Sequence, residues 1–121
     1  MEPSRKSQQG NSSIMVDKQA CPVDLVHLSR QTLGDRDLER EVLCLFVNQS
    51  ALYLQRLKAA KSVKERKNAA HTILGSARGL GAWHVAQEAE RYEASCTKSA
   101  DCRRLTSAVD DANAYIREIM C

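Results

Sequence analysis

Residues 63–81 read VKERKNAAHTILGSARGLG, and their apolar positions recur at gaps of three and four. At about 100° per residue, one side of a helix collects a single stripe: Val63, Arg66, Ala70, Ile73, Ala77 and Leu80. Such a stripe is typical of a helix packed in a bundle. The stretch therefore predicts a long helix that opens at the capping-box spacing of Ser62 and Glu65. Glycines are expected to close it after about Arg78.

The histidine of this stretch is predicted to face away from the bundle. His71 lies about 130° from the centre of the stripe, so its side chain should be exposed to solvent. Gly75 follows one turn later on the same face. A glycine inside an exposed helix costs about 1 kcal/mol relative to alanine, so its presence calls for a reason. One such reason is that another molecule must approach the His71 imidazole closely.

Before and after this stretch, the sequence predicts four further helices. They cover about 22–32, about 36–60 after an Asp35 cap, about 82–98, and a last stretch that begins after a cap at Ser99 or Asp101. Because the connections are short, neighbouring helices are expected to be antiparallel. The prediction is an all-α fold, an antiparallel up-down-up-down four-helix bundle with a short additional N-terminal helix.

The second predicted helix has an unusually broad apolar face, expected to contact both the bundle core and the short first helix. Its members are Leu38, Val42, Leu43, Leu45, Phe46, Val47, Leu52, Tyr53, Leu54 and Leu57. Residues 1–20 are rich in Ser, Gln, Lys and Asn and are predicted to be a disordered tail. Residues 21–121 are then a single helical domain.

Composition narrows the class of protein. The chain has 121 residues, of which 43% are apolar and only 4% aromatic, so the core should be aliphatic and alanine-rich. A net charge of +3 is weaker than nucleic-acid binders usually show, and neither aromatic platforms nor a basic amphipathic helix is evident. The chain lacks a run of about 20 apolar residues and a continuous apolar signal region. We expect a cytoplasmic protein, and a self-contained bundle favours a monomer.

The five cysteines, at positions 21, 44, 96, 102 and 121, do not suggest a metal site. They show neither Cys-x-x-Cys spacing nor zinc-finger register with a histidine. Cys44 and Cys96 fall within apolar helical stretches and are interpreted as small hydrophobic residues. His84 and Glu88 stand four residues apart, but two ligands are too few to predict a metal ion.

The stretch around His71 resembles the signature of histidine-containing phosphotransfer (HPt) domains of bacterial multistep phosphorelays. In that family a helix carries His, then Lys-Gly three and four positions on, then small residues, an apolar residue and Gly. The matching positions here are His71, Gly75, Ser76, Ala77, Leu80 and Gly81. Leu74 stands where the family usually has lysine. The resemblance extends over about 100 residues, from Pro22 to the last helix.

This resemblance implies a phosphoryl carrier. A phosphoryl group on Nε2 of His71 would pass between aspartates on receiver domains of hybrid histidine kinases and response regulators. The chain shows no nucleotide-binding loop, so no ATPase or kinase activity of its own is expected. We also expect no cofactor on this chain, with Mg²⁺ belonging to the receiver.

Several residues are predicted to support His71. Antiparallel packing brings the following helix level with it, so that Glu90 or Glu93 could accept a hydrogen bond from the imidazole. Lys67 lies one turn toward the N-terminus and could supply the positive charge that Leu74 cannot. The residues predicted to contact the phosphoryl group or the receiver are Gly75, Leu74, Lys67, Arg78, Lys64 and Asn68. The basic residues could equally be a solvated face.

A second function fits the same residues. An HPt-like bundle can bind receiver domains without carrying phosphate, and the leucine at position 74 keeps that alternative open. Acid-labile labelling by a phosphorylated receiver separates the two.

Overall fold

The computed structural model describes residues 21–95 and 101–120, and within these ranges the chain is built from five α-helices. In chain order they are α1 (Leu25–Gln31), α2 (Arg36–Ala59), α3 (Val63–Leu80), α4 (Trp83–Ala94) and α5 (Arg103–Met120). The predicted tail at 1–20 and the candidate cap Ser99 lie outside the described residues. The all-α prediction is confirmed.

Helices α2 and α3 begin at the predicted capping residues, and α1 begins at a similar aspartate cap. Side chains of Asp24, Asp35 and Ser62 each accept the backbone N–H three residues on, at 3.0–3.1 Å. Glu65 closes the capping box one residue earlier than the usual pattern, since its Oε1 accepts the N–H of Lys61. Each of these three cap bonds satisfies one of the backbone N–H groups that the first turn of a helix leaves unpaired.

The helix ends differ from prediction by a few residues. Helix α3 runs two residues past Arg78, and it is Gly81, in the left-handed conformation, that caps it. Helix α4 ends at Ala94, short of the predicted 98. The start of α5 involves the candidate capping residue Asp101, whose Oδ1 accepts the backbone N–H of Arg103 at 2.9 Å.

Four helices close on one another around the core. Helix α2 packs on α3, α3 on α4, α4 on α5, and α5 back on α2, while α1 packs against α3. The core is aliphatic and alanine-rich, as the composition predicted. Its central residues include Ala70, Ile73, Ala77, Val85, Ala89, Leu105, Val109, Ala112 and Ile116. A four-helix bundle with a short helix at one end is therefore the observed architecture.

Two expectations about apolar residues are wrong. Leu38, Leu45 and Leu52 of α2 are exposed rather than shared between the core and α1. Cys44 is exposed rather than a buried small hydrophobic residue, and Cys96 lies outside the described residues. The reason is geometric: α2 contributes only one side, centred near Phe46, Leu54 and Leu57, to the bundle.

Candidate functional site

His71 lies in the middle of α3 on the side turned away from the core. Its side chain is 71% exposed, as the helical spacing predicted. Ala70 and Ile73, its near neighbours in sequence, are fully buried. Packing of the apolar stripe therefore fixes the backbone under His71 and leaves its imidazole accessible.

Helix α4 supplies a partner for the imidazole. Nδ1 of His71 lies 3.3 Å from Oε1 of Glu93. Glu90, the other predicted candidate, instead accepts from Arg78 Nη2 at 3.2 Å. The antiparallel packing of α3 and α4 thus decides between two glutamates that the sequence left equal.

The Glu93 contact determines which ring nitrogen is reactive. A carboxylate only accepts hydrogen bonds, so Nδ1 must carry the proton when it bonds to Glu93. The lone pair of the neutral ring then resides on Nε2. Because the side chain is largely exposed, Nε2 can serve as a nucleophile toward a group arriving from solvent.

The space beside His71 is open. A Cβ atom built on Gly75 meets no atom within 4 Å, and the same holds for Gly79 one turn further along. Neither glycine is therefore required by packing inside this bundle. The absence of a side chain at Gly75, one turn from His71, widens the face that a partner can reach beside the imidazole.

Two exposed lysines lie on the N-terminal side of His71. Lys67 and Lys64 are exposed, one and two turns away, and neither forms an ion pair with any residue that the structure describes. Arg78, by contrast, is bound to Glu90. Asn68 is exposed, and its backbone carbonyl accepts a hydrogen bond from the Thr72 hydroxyl. Positive charge available to an anion at His71 is therefore concentrated on the two lysines.

By helical angle Leu74 lies roughly 70° from the centre of the apolar stripe, which predicts a position at the boundary between the core and the His71 face. Its side chain is instead 4% exposed and belongs to the hydrophobic core. The boundary prediction is therefore wrong.

The α3–α4 turn is tied to α1 by contacts that sequence reasoning missed. Asp24 donates its backbone N–H to the Gly81 carbonyl at 2.9 Å, and its Oδ2 accepts the Trp83 indole N–H at 3.0 Å. The His27 ring stands edge-on to the indole, with centroids 4.8 Å apart. The indole hydrogen bond, with the His27 backbone N–H, lowers the pKa of Asp24 below its usual value of 3.8. These contacts hold α1 against the end of α3 and the start of α4.

An ion pair between a buried carboxylate and a largely exposed arginine joins α4 to α5. Glu88 is 3% exposed, and its Oε2 accepts from Arg104 Nη2 at 3.0 Å. Glu88 therefore has a structural partner, whereas His84 is exposed. Among the residues that the structure describes, no three His, Cys, Asp or Glu side chains cluster as a metal site would require. Over the same residues, no helix combines the length and apolar character that crossing a bilayer needs.

Comparison with known proteins gives one informative similarity. No family model matches the chain, and a search of curated proteins finds no match. Among solved structures, the histidine phosphotransferase ShpA from Caulobacter crescentus superposes with a TM-score of 0.70 at 32% sequence identity. The match covers 82% of this chain and 90% of that one. The similarity is thus one of whole domains rather than of a short motif.

Proposed function

This chain belongs to the histidine-containing phosphotransfer (HPt) family, and on that premise we propose that it carries a phosphoryl group on His71 between receiver-domain aspartates of a two-component phosphorelay in the cytoplasm. The observation that supports this role most directly is the exposed imidazole whose Nδ1 is held by Glu93. That hydrogen bond leaves Nε2 as the nucleophile on an open helix face.

The proposed reaction exchanges one bond to phosphorus for another. The Nε2 lone pair attacks the phosphorus of an aspartyl phosphate on the receiver. The N–P bond forms, the bond between phosphorus and the aspartate oxygen breaks, and its electron pair returns to the carboxylate. The Nδ1 proton stays in its hydrogen bond to Glu93, whose negative charge offsets the positive charge that develops on the ring. Transfer to a second receiver is the reverse of this step.

The remaining groups have supporting roles. Lys67 supplies positive charge for the phosphoryl oxygens, with Lys64 adding to the local field that attracts an acidic receiver surface. Gly75 gives the receiver clearance over the helix. Mg²⁺ and the other catalytic groups belong to the receiver, so this chain acts as a carrier and not as a kinase.

Labelling by a phosphorylated receiver tests the proposal. The wild type should acquire an acid-labile, base-stable phosphoryl group, and His71→Gln should acquire none. His84→Gln, which changes another exposed histidine, should label like the wild type. We expect the melting temperature of His71→Gln to stay close to that of the wild type, since a surface change usually costs within about 0.5 kcal/mol. A folded wild type that binds receivers without acquiring label would instead assign the chain to receiver binding alone.

A further inference from the structure

Helix α2 carries a regular stripe of exposed leucines that the bundle does not use. Leu38, Leu45 and Leu52 are 41%, 54% and 44% exposed and are spaced exactly seven residues apart. Seven residues make almost two helical turns, so the three side chains fall within about 40° of one another. Single exposed leucines are ordinary on a protein surface, but these three line up along one side of α2, as one of the two core positions of a paired helix does.

Charge is distributed unevenly along this leucine stripe. On the leucine side of the helix, Asp35, Asp37 and Glu41 lie near Leu38, and Arg56 lies near Leu52. The remaining basic residues of these two ends, Arg36, Arg40 and Lys58, fall on the opposite side. The distance from Asp35 to Arg56 is about 30 Å along the helix. An identical helix laid antiparallel would bring the acidic end of each copy to the basic end of the other. A parallel arrangement would oppose like charges and like helix dipoles.

Arg56 is already positioned on the helix surface. Its guanidinium carbon lies 4.9 Å from the centroid of the Tyr53 ring on the same helix. Such stacking restrains the long side chain, so less conformational entropy is lost when its N–H groups bind a carboxylate. One end of the stripe is thus preorganised for an acidic partner.

We propose that two copies of this chain pair through α2, antiparallel and about a two-fold axis at Leu45. In this register Leu45 meets Leu45 of the other copy, and Leu38 of each copy meets Leu52 of the other. The arrangement is isologous, as closed dimers usually are. It modifies the expectation of a monomer: each bundle folds by itself, and the folded copies associate.

The interface is small. One face of a helix of this length falls below the roughly 800 Å² per partner of a standard stable interface. The dimer should therefore form and dissociate with concentration rather than be permanent. The proposal does not depend on phosphotransfer, because it concerns the unphosphorylated protein and a different helix.

Sedimentation velocity of the full chain, over about a hundredfold range of concentration, tests the pairing. A reducing agent is present because Cys44, next to Leu45, is exposed. The wild type should shift from monomer to dimer as concentration rises. Leu45→Glu should stay monomeric because it opposes two carboxylates at the axis. Ile119→Glu, which changes an exposed apolar residue of α5, should dimerise like the wild type.

A pair of double variants tests the antiparallel register. Leu38→Glu combined with Leu52→Lys places glutamate opposite lysine twice and should dimerise. Leu38→Glu combined with Leu52→Glu places like charges together and should not. His71→Gln should dimerise normally, so a failure of the phosphotransfer proposal would leave this result intact.

Two outcomes would overturn the pairing. The first is a wild type that is monomeric at every concentration; if Leu45→Glu then also slows phosphoryl transfer, the stripe is assigned to receiver binding instead. The second is a dimer that survives Leu45→Glu, which would place the contact on another surface.

Discussion

At the scale of single residues, the contact between His71 and Glu93 is the feature with the most direct chemical consequence. Glu93→Gln keeps a hydrogen-bond acceptor for Nδ1 but removes the negative charge. Hydrogen bonds to charged groups are stronger than neutral ones by about 1 kcal/mol, so we expect phosphorylation of His71 to slow about fivefold. Single-turnover transfer from one phosphorylated receiver measures this rate.

Glu90 provides the matched control for that experiment. It lies on the same helix, but it pairs with Arg78 rather than with the imidazole. Glu90→Gln should leave the transfer rate unchanged. Equal slowing in both variants would show that general negative charge on α4, and not the bond to Nδ1, controls the reaction.

The position that departs from the family signature gives a prediction about stability. A sequence reading with Leu74 at the edge of the core predicts that Leu74→Lys is tolerated and favours the phosphorylated state. With Leu74 buried, the substitution removes core packing and places an ammonium against apolar groups. We expect the free energy of unfolding to fall by about 2–4 kcal/mol, measured by denaturant titration. A Leu74→Lys variant as stable as the wild type would contradict the burial argument.

If Lys67 supplies the charge at this site, its removal should act on function alone. Lys67→Ala, at an exposed position, should leave stability unchanged and lower the phosphorylated fraction at equilibrium with one receiver, by the equivalent of about 0.5–1 kcal/mol. Lys64→Ala, one turn further from His71, should have a smaller effect.

At the scale of elements, α3 combines a packed face with an open one. Gly75 and Gly79 both lie where an added Cβ meets nothing within 4 Å. Replacing either by alanine should stabilise the helix by up to about 1 kcal/mol, because alanine loses less backbone entropy on folding. Thermal denaturation of the two variants checks this.

The two glycines should differ once a larger side chain is added. Gly75→Gln stands one turn from His71 and should slow phosphoryl transfer without unfolding the bundle. Gly79→Gln stands two turns away and should transfer at the wild-type rate. If both variants transfer normally, clearance for the partner is not the reason for Gly75.

At the scale of the whole molecule, the Asp24 contacts that join α1 to the α3–α4 turn should make stability depend on pH. The folded pKa of Asp24 is below 3.8, chiefly because the Trp83 indole donates to the carboxylate. A lowered pKa gives stabilisation that is complete above the unfolded value and is lost as pH falls through the folded one. The difference in melting temperature between wild type and Asp24→Asn should therefore shrink below about pH 4.

Asp35→Asn is the matched control, because Asp35 also caps a helix and no bond from an indole to its carboxylate is observed. Asparagine caps helices about as well as aspartate, so both variants should fold. A difference between wild type and Asp24→Asn that stays constant down to low pH would show that the indole bond does not favour the ionised carboxylate.

Gly81 is essential to the same region for a reason that no single helix reveals. Its φ is +92°, and an added Cβ would lie 3.0 Å from the Asp24 carbonyl oxygen. The signature glycine at the end of α3 therefore has two physical requirements, a left-handed backbone and close approach of the chain that enters α1. The sequence indicated the first of these, and folding imposes the second.

Periodicity and capping chemistry by themselves determined the helices and the exposure of His71, because each depends on residues within a few turns of one helix. The composition by itself determined that the core is aliphatic and rich in alanine. Tertiary packing alone decided that Glu93 rather than Glu90 meets His71, that Leu74 is buried, and that the α2 leucines are not. These outcomes depend on the register and closeness of neighbouring helices. A pattern that repeats along one helix specifies which side is apolar, but not which partner covers it or how far around that partner reaches.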